Sequence, residues 1–450
     1  MRLPSFCLAC CLAATGLAIA TPAVALDEQD KERERFELMQ LFAETFQQIE
    51  SNYVRDVDRR ELMESAIQGM LRHLDQHSSF IPPSDVRHFT QNLEQEFGGI
   101  GITVNAPSPG RLIVISPLPG TPAYRAGIRA GDLIVEVEGE STKNLSLTDA
   151  VKKLQGPVGR PVVIKVVHPG EDSEPEEIRL VRQVIKAPTV LGDRYSDKDE
   201  WEFMYDDEKK IGYIRLSHFS RFTSQEVKAA LDDIFERNVR GLVIDLRYNP
   251  GGLLEAAIDI ADMFLEDGNI VSVRGRNVPE RSWDAKKRDT YSKIPLAVLV
   301  NGFSASASEV LSACLQDNKR AVIVGERTFG KGSVQNIIRM EEGESALKLT
   351  TASYHRPSGV NIHRFPDMKA DDEWGVTPDE GYLIKYDRGQ QTAWNRQRRA
   401  KDVLRPAEDV ASNDDDPEED DTEEEAFKDT QLIAALDYLA DQLKEPEEIE

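Results

Sequence analysis

The chain has 450 residues, 80 of them acidic and 55 basic, for a formal net charge of −25. That balance argues against nucleic acid as a natural partner. It is long enough for two or three domains, and its four cysteines (Cys7, Cys10, Cys11, Cys314) leave only Cys314 beyond the first eleven residues, so the rest of the chain can form no internal disulfide.

Residues 1–25 read as a secretory signal: Arg2, an apolar stretch from Phe6 to Ile19, and Ala23-Val24-Ala25 as a cleavage site. The expectation is an exported protein, periplasmic or otherwise extracytoplasmic, with membrane association through an uncleaved leader as a variant. Residues 27–90 carry apolar positions at helical spacing (Leu38, Leu41, Phe42, Phe46, Ile49), repeated in LMESAIQGMLRHL and closed by Pro82-Pro83. His73 and His77 stand four apart, on what reads as one helix, but no third metal ligand follows at a fixed offset.

Residues 91–186 are rich in strand and turn signals. Gly98-Gly99-Ile100-Gly101-Ile102 is a glycine-rich entry to a strand, and TPAYRAGIRAGDLIVEVEG follows. This pair of segments resembles a PDZ domain. The resemblance implies that Gly98, Gly99, Ile100, Gly101 and Ile102 form the loop that receives a peptide's terminal carboxylate, with a helix over Leu145–Leu154 lining the groove. Backbone amides in such a loop make a concavity for an anion, and the adjacent sheet edge can add a peptide strand.

From Ala187 to Tyr386 strands and helices alternate, which predicts a mainly parallel sheet covered by helices, with ligands at strand C-terminal ends. Expected strands are 212–216, 241–246 and 269–273, and Thr223 with Glu226 reads as a capping box for the first helix. Asn249-Pro250-Gly251-Gly252 lies at one strand end. At the next, Leu296–Asn301 leads through SASAS into a helix whose apolar face includes Val310, Leu311, Cys314 and Leu315, and strand 321–325 then runs into RTFGKGSVQ. A serine at a strand-to-helix turn sits beside free helix amides that can hold an oxyanion. A lysine can deprotonate it if burial makes the neutral amine accessible. These rules do not choose among Ser304, Ser306 and Ser308.

SASASE followed by GERTFGKGSVQ is similar to the active-site region of the carboxyl-terminal processing, or tail-specific, proteases. Position by position, the resemblance puts the nucleophile on Ser306, the general base on Lys331, and its orienting glutamine on Gln335, read as one helical turn beyond the lysine. It puts the oxyanion amides on Gly252 and Ala307. It implies an α+β multidomain chain: N-terminal helices, an inserted PDZ domain, and an α/β protease core of the crotonase and Clp-peptidase type. The activity implied is endoproteolysis near protein C-termini, with no metal or cofactor. A non-catalytic PDZ scaffold on the same fold is the alternative, disfavoured by the intact Ser306, Lys331 and Gln335.

Residues 387–427 mix a basic start with a block of like negative charge and read as a disordered linker. Residues 428–450 return to an amphipathic helix with Leu432, Ala435, Leu436, Leu439 and Leu443 on one stripe. That helix is expected to pack on the N-terminal helices or on a second subunit, making a homo-oligomer. Substrate proteins entering by their C-termini are the expected partners, with an adaptor protein a further candidate.

Overall fold

The computed structural model describes residues 23–86, 97–108, 110–169, 174–287, 290, 291, 293–365, 367–369, 371–404 and 427–444. Residues 1–22, with most of the expected signal, and 405–426, with the acidic block, lie outside the described residues. Two compact units are present, divided after Leu74.

The first unit holds helices α1 (Ala23–Asn52) and α2 (Arg59–Leu74). Phe36, Leu38, Met39 and Leu41 on α1 are exposed. Because α2 ends at Leu74, His77 is not on it, and the expected helical His73–His77 pairing is corrected. The Asp75 carboxylate accepts the backbone N–H groups of His77 and Ser78, a local turn that competes with helix.

The second unit begins with β1 (Ser79–Ile81) and β2 (Phe97–Gly99). A β-rich layer follows: β3 (Ile102–Asn105), β4 (Leu112–Pro117), the short α3 (Pro122–Arg125), β5 (Leu133–Val137), α4 (Leu147–Leu154), β6 (Pro161–Val167) and β7 (Glu176–Val181). Its sheet runs in the order β3-β4-β5-β6-β7, so β3 is an edge strand. Alternate residues Val162, Ile164 and Val166 of β6 point into a core with Val114, Ile134 and Leu154. The chain leaves through β8 (Gln183–Ile185), which pairs antiparallel with β2, tying exit to entry.

Beyond β9 (Val190–Leu191) and β10 (Met204–Asp206) comes β11 (Ile211–Leu216), then α5 (Thr223–Glu236), β12 (Gly241–Asp245), α6 (Leu254–Asp262), β13 (Asn269–Gly275), β14 (Val278–Asp284), β15 (Leu296–Val300), α7 (Ala307–Asp317) and β16 (Val322–Gly325). Strands β11-β12-β15-β16 form the expected parallel sheet. Strand 269–275 does not join it. It pairs antiparallel with β14 and with β18 (Ser345–His355), in a second sheet that also holds β1 and β17 (Ser333–Met340). The reason is local: β13 turns straight back into β14, and a hairpin partner displaces a parallel one. The Thr223–Glu226 capping box also fails to form. Glu226 instead accepts from the Thr189 N–H and hydroxyl, joining α5 to the start of β9.

Helices α5, α6 and α7 cover one face of the parallel sheet, where Val227, Ile260 and Leu311 meet Ile244 and Val298. Cys314 lies in this core, as expected, and burial pushes its thiol up to about 12. The opposite face is closed from far along the chain. Residues 388–402, expected within a disordered linker, form α8 (Arg388–Asp402), started by a reciprocal Asp387–Gln390 cap. Helix α9 (Thr430–Gln442) lays Leu432, Ala435 and Leu439 against Tyr213, Val243, Leu299 and Val324. Its apolar stripe is therefore spent on its own sheet.

A buried ionic joint fixes this arrangement. Arg247, 2% exposed, pairs with Asp245 on β12 and makes two bonds of 2.9 Å to Asp429, the cap of α9. Trp394 of α8 donates to the same carboxylate and lies under the guanidinium. Burial alone would raise the Asp429 pKa, but Arg247 holds it below the usual carboxylate range. Removing one partner of such a pair strands the other. Asp429→Ala should lower unfolding free energy by about 3 kcal/mol in denaturant titration and open the 427–444 segment to limited proteolysis.

Candidate active site

The turn from β15 into α7 is held by its own side chains. Ser304 Oγ donates to the Leu246 carbonyl at 2.8 Å, and Ser308 Oγ donates to that of Asn249 at 3.0 Å; both serines are fully buried. The Ala305 N–H also donates to Asn249. Between them Ser306 takes φ 57° and ψ −114°, a conformation that costs a non-glycine residue about 1–3 kcal/mol and survives only where neighbours impose it. The structure thus separates the three serines that the sequence rules could not. Two hydroxyls are consumed inside the turn, and Ser306 lines the adjoining cleft.

One residue that the sequence reading passed over organises this turn. Glu309, fully buried in the first turn of α7, accepts four hydrogen bonds. Oε1 receives Thr328 Oγ1 and the Gly330 N–H, both at 2.6 Å. Oε2 receives the Ser306 and Lys331 N–H groups, both at 2.8 Å. Burial pushes the carboxyl up to about 7, against the pull of those donors. The backbones of Ser306 and Lys331 are therefore held on one oxygen atom. The serine three residues before a glutamate at a helix start was the available signal.

Lys331, Gln335 and Gly252 line the same cleft as Ser306, a space of about 730 Å³. Burial lowers the Lys331 pKa, the Lys348 ammonium lowers it further, and Glu309 offsets part of the shift. Gln335 is not a helical turn from the lysine. It stands on β17, where its Nε2 donates to Ser333 Oγ and Thr350 Oγ1. Thr350 is in turn bonded by Ser78, itself on Asp75. Burial and the charge of Lys331 lower the His77 pKa, and Asp75 offsets part of that shift. Gly251 and Gly252 bring the end of β12 against the serine turn. A Cβ on Gly251 would lie 2.9 Å from the Ala307 nitrogen, and one on Gly252 only 2.0 Å from the Phe219 carbonyl oxygen. Ala307 is buried and supplies the first amide of α7.

The expected carboxylate loop lies elsewhere, in the β-rich layer. Gly98 and Gly99 belong to β2, and Ile100 packs its side chain into the core at 2% exposure, so it offers backbone only. The Ile100 and Gly101 carbonyls accept from Ala123 N–H and Leu118 N–H, which turns the trans-linked amides of Gly101 and Ile102 the other way. Gly101 has φ +81°, and a Cβ there would strike Thr121. Among the described residues no cluster of His, Cys, Asp and Glu could hold a metal ion.

Because each Glu309 oxygen accepts two donors, neither can be exchanged for an amide NH₂ without stranding an N–H. Glu309→Gln should cost about 1–3 kcal/mol of stability in thermal or chemical unfolding, and reduce turnover about tenfold or more through misplacement of the two backbones.

Three family descriptions match in register with these layers: "Activating protease CtpB N-terminal domain" over residues 14–81, "PDZ domain" over 113–167, and "Peptidase family S41" over 210–381. A carboxy-terminal-processing protease of Bartonella bacilliformis is 39% identical over 355 residues, covering 78% of this chain and 76% of that one. A carboxyl-terminal-processing protease of Synechocystis is 35% identical over 72% of each chain. Carboxy-terminal processing protease CtpB of Bacillus subtilis is 33% identical over 77% of this chain and 69% of its own. With that coverage, spanning both the layer around Gly101 and the cleft around Ser306, the chain belongs to the carboxy-terminal processing proteases of peptidase family S41 and is a serine-type peptidase.

Proposed function

We propose that the chain is an exported endopeptidase that cleaves protein substrates near their C-termini by a Ser306–Lys331 dyad. The carrying observation is the strained Ser306, facing the cleft while Ser304 and Ser308 are consumed, with its backbone and that of Lys331 on one carboxylate. Neutral Lys331 takes the Ser306 proton, and Oγ attacks the scissile carbonyl. The amides of Gly252 and Ala307 hold the oxyanion. The lysine returns its proton to the leaving amine, and water then hydrolyses the acyl-enzyme. Gln335, its Nε2 fixed by Ser333 and Thr350, keeps a carbonyl oxygen available to orient Lys331.

The PDZ layer captures the substrate's terminal carboxylate at the 98–102 loop, with β3 as the edge on which a peptide strand adds. Its seating on the core supports coupling of capture to chemistry: Tyr124 of α3 donates to Asp199, and the Leu404 N–H donates to Ser116. Arg182, at the exit of this layer, bonds the carbonyls of Lys153 and Leu154 and so holds the end of α4. Export rests on the apolar N-terminus; among the described residues no helix is long and apolar enough to cross a membrane. The core is of the crotonase type, the acidic residues of 405–426 form a linker, and the exposed apolar face of α1 serves a homo-oligomer or an adaptor.

Ser306→Ala and Lys331→Ala should each reduce cleavage of an unstructured protein by about 10⁴-fold or more, and the double variant no further. Lys331→Arg should be equally inactive, since a guanidinium does not deprotonate. The base form is the neutral amine, so activity should be lost as pH falls through one ionisation lying below the ordinary lysine value of about 10.4. Turnover by Ser306→Ala that depends on Ser304 or Ser308 would remove the assignment.

Gly101→Val should damage the carboxylate loop and its packing on Thr121. The ratio of rates for a long protein tail to a short peptide should fall about 5-fold or more, the range of ordinary intersite coupling. An unchanged ratio would mean that the loop senses no C-terminus.

A further inference from the structure

The cleft departs from the chain's overall charge. In a protein of net charge −25, its described lining carries Lys331, Lys348, Arg221 and His218 and no aspartate or glutamate. Lys348 is half-buried, and its ammonium has no carboxylate partner among the described residues, whereas Lys153, Lys165 and Lys401 each have one.

Its position in the sheet is informative. Ser333, Gln335 and Ile337 follow one another at every second residue of β17 and all line the cleft, and Lys348 is the cross-strand partner of Ile337 on β18. Ser333 is next but one to Lys331, so the row begins at the reacting centre. At about 3.4 Å per residue, Ile337 and Lys348 lie about 14 Å further along the strand. An extended peptide advances by the same amount per residue, so this span corresponds to about three to five substrate residues.

We propose that Lys348 receives the α-carboxylate of the substrate segment beyond the scissile bond, so that the cleft itself measures the length of the tail removed. This rests on the reading of Ser306 as the nucleophile, and it concerns a carboxylate site distinct from the 98–102 loop, one that the same terminus occupies after leaving that loop. A terminal carboxylate is the one anion every protein tail carries regardless of sequence. A lone ammonium beside Gln335 and Ile337, in a cleft also lined by Leu253 and Tyr354, selects it from a side-chain amide or an internal peptide bond.

The test uses the full chain and a nested series of unstructured peptides that share one cleavage site and carry one to eight residues after it. Each is made as free acid and as C-terminal amide, and kcat/KM and products are read by mass spectrometry. For the wild type the acid-to-amide ratio should peak at about three to five residues and reach about tenfold, the value of one hydrogen bond to a charged group. The ratio should persist in the Gly101→Val background, which isolates the cleft from the PDZ loop. It should fall to near one in Lys348→Met and partly return in Lys348→Arg. Equal rates for acid and amide at every length in the wild type would overturn the proposal without recourse to any variant. So would a Lys348→Met enzyme that slows both forms equally, since that lysine would then act only on the electrostatics of Lys331. Cleavage of the amide series by Ser306→Ala would instead remove the underlying site.

Discussion

Glu309 is the constraint from which the active region is built. A carboxylate with both oxygens doubly bonded to donors, inside a fully buried first helical turn, cannot move without stranding several polar groups. It therefore fixes the start of α7 relative to the 328–331 loop, together with the Phe329 N–H, which donates to the Ser304 carbonyl. The strained torsions of Ser306 follow from this clamp together with the Asn249 carbonyl, which accepts from Ala305 and Ser308. Strain of this size persists only when the surroundings leave no alternative, and here they are backbone and buried side chains.

The end of β12 is held by a second buried carboxylate system. Arg247 joins Asp245 to Asp429, while Tyr248, at φ 59°, stacks between Phe303 and Trp394. The next residues are Asn249 to Gly252, so the amide of Gly252 is placed by a joint that reaches across the sheet to the C-terminal helix. The cleft is open on one side of the parallel sheet, and its rigidity comes partly from the other. Lys331, by contrast, is held through its backbone N–H and perturbed by desolvation, as the proposed role of proton acceptor requires.

Local patterns made the centre of the site legible: SASASE and FGKG are short, and the structure brings Ser306, Lys331, Gln335 and Gly252 to one cleft. What escaped depends on partners far away in sequence. Gln335 follows Lys331 by four residues, which suggests a helical turn, but pairing with β18 makes it a strand. Strand 269–275 has the composition of a buried parallel strand and is taken by a hairpin. Residues 388–402 are too polar to announce a core element, and only Trp394 and Arg398 are buried, against groups near residues 193, 247 and 429. Glu309 was visible as a letter in the motif, yet its role required knowing that residues 328–331 return to it.

The closure of the parallel sheet by α9 has a consequence for how the molecule comes into being. Tyr213, Val243, Leu299 and Val324 are laid down strand by strand, but α9, whose Leu432, Ala435 and Leu439 pack into the same core, begins only at Thr430. Until that segment has been made, this face of the sheet is incompletely covered and Arg247 lacks its Asp429 partner. A nascent chain long enough to contain both Ser306 and Lys331 would still be without the helix that secures the Gly252 loop. The order of synthesis thus places a delay between the appearance of the proposed Ser306–Lys331 pair and the assembly of a rigid cleft around it.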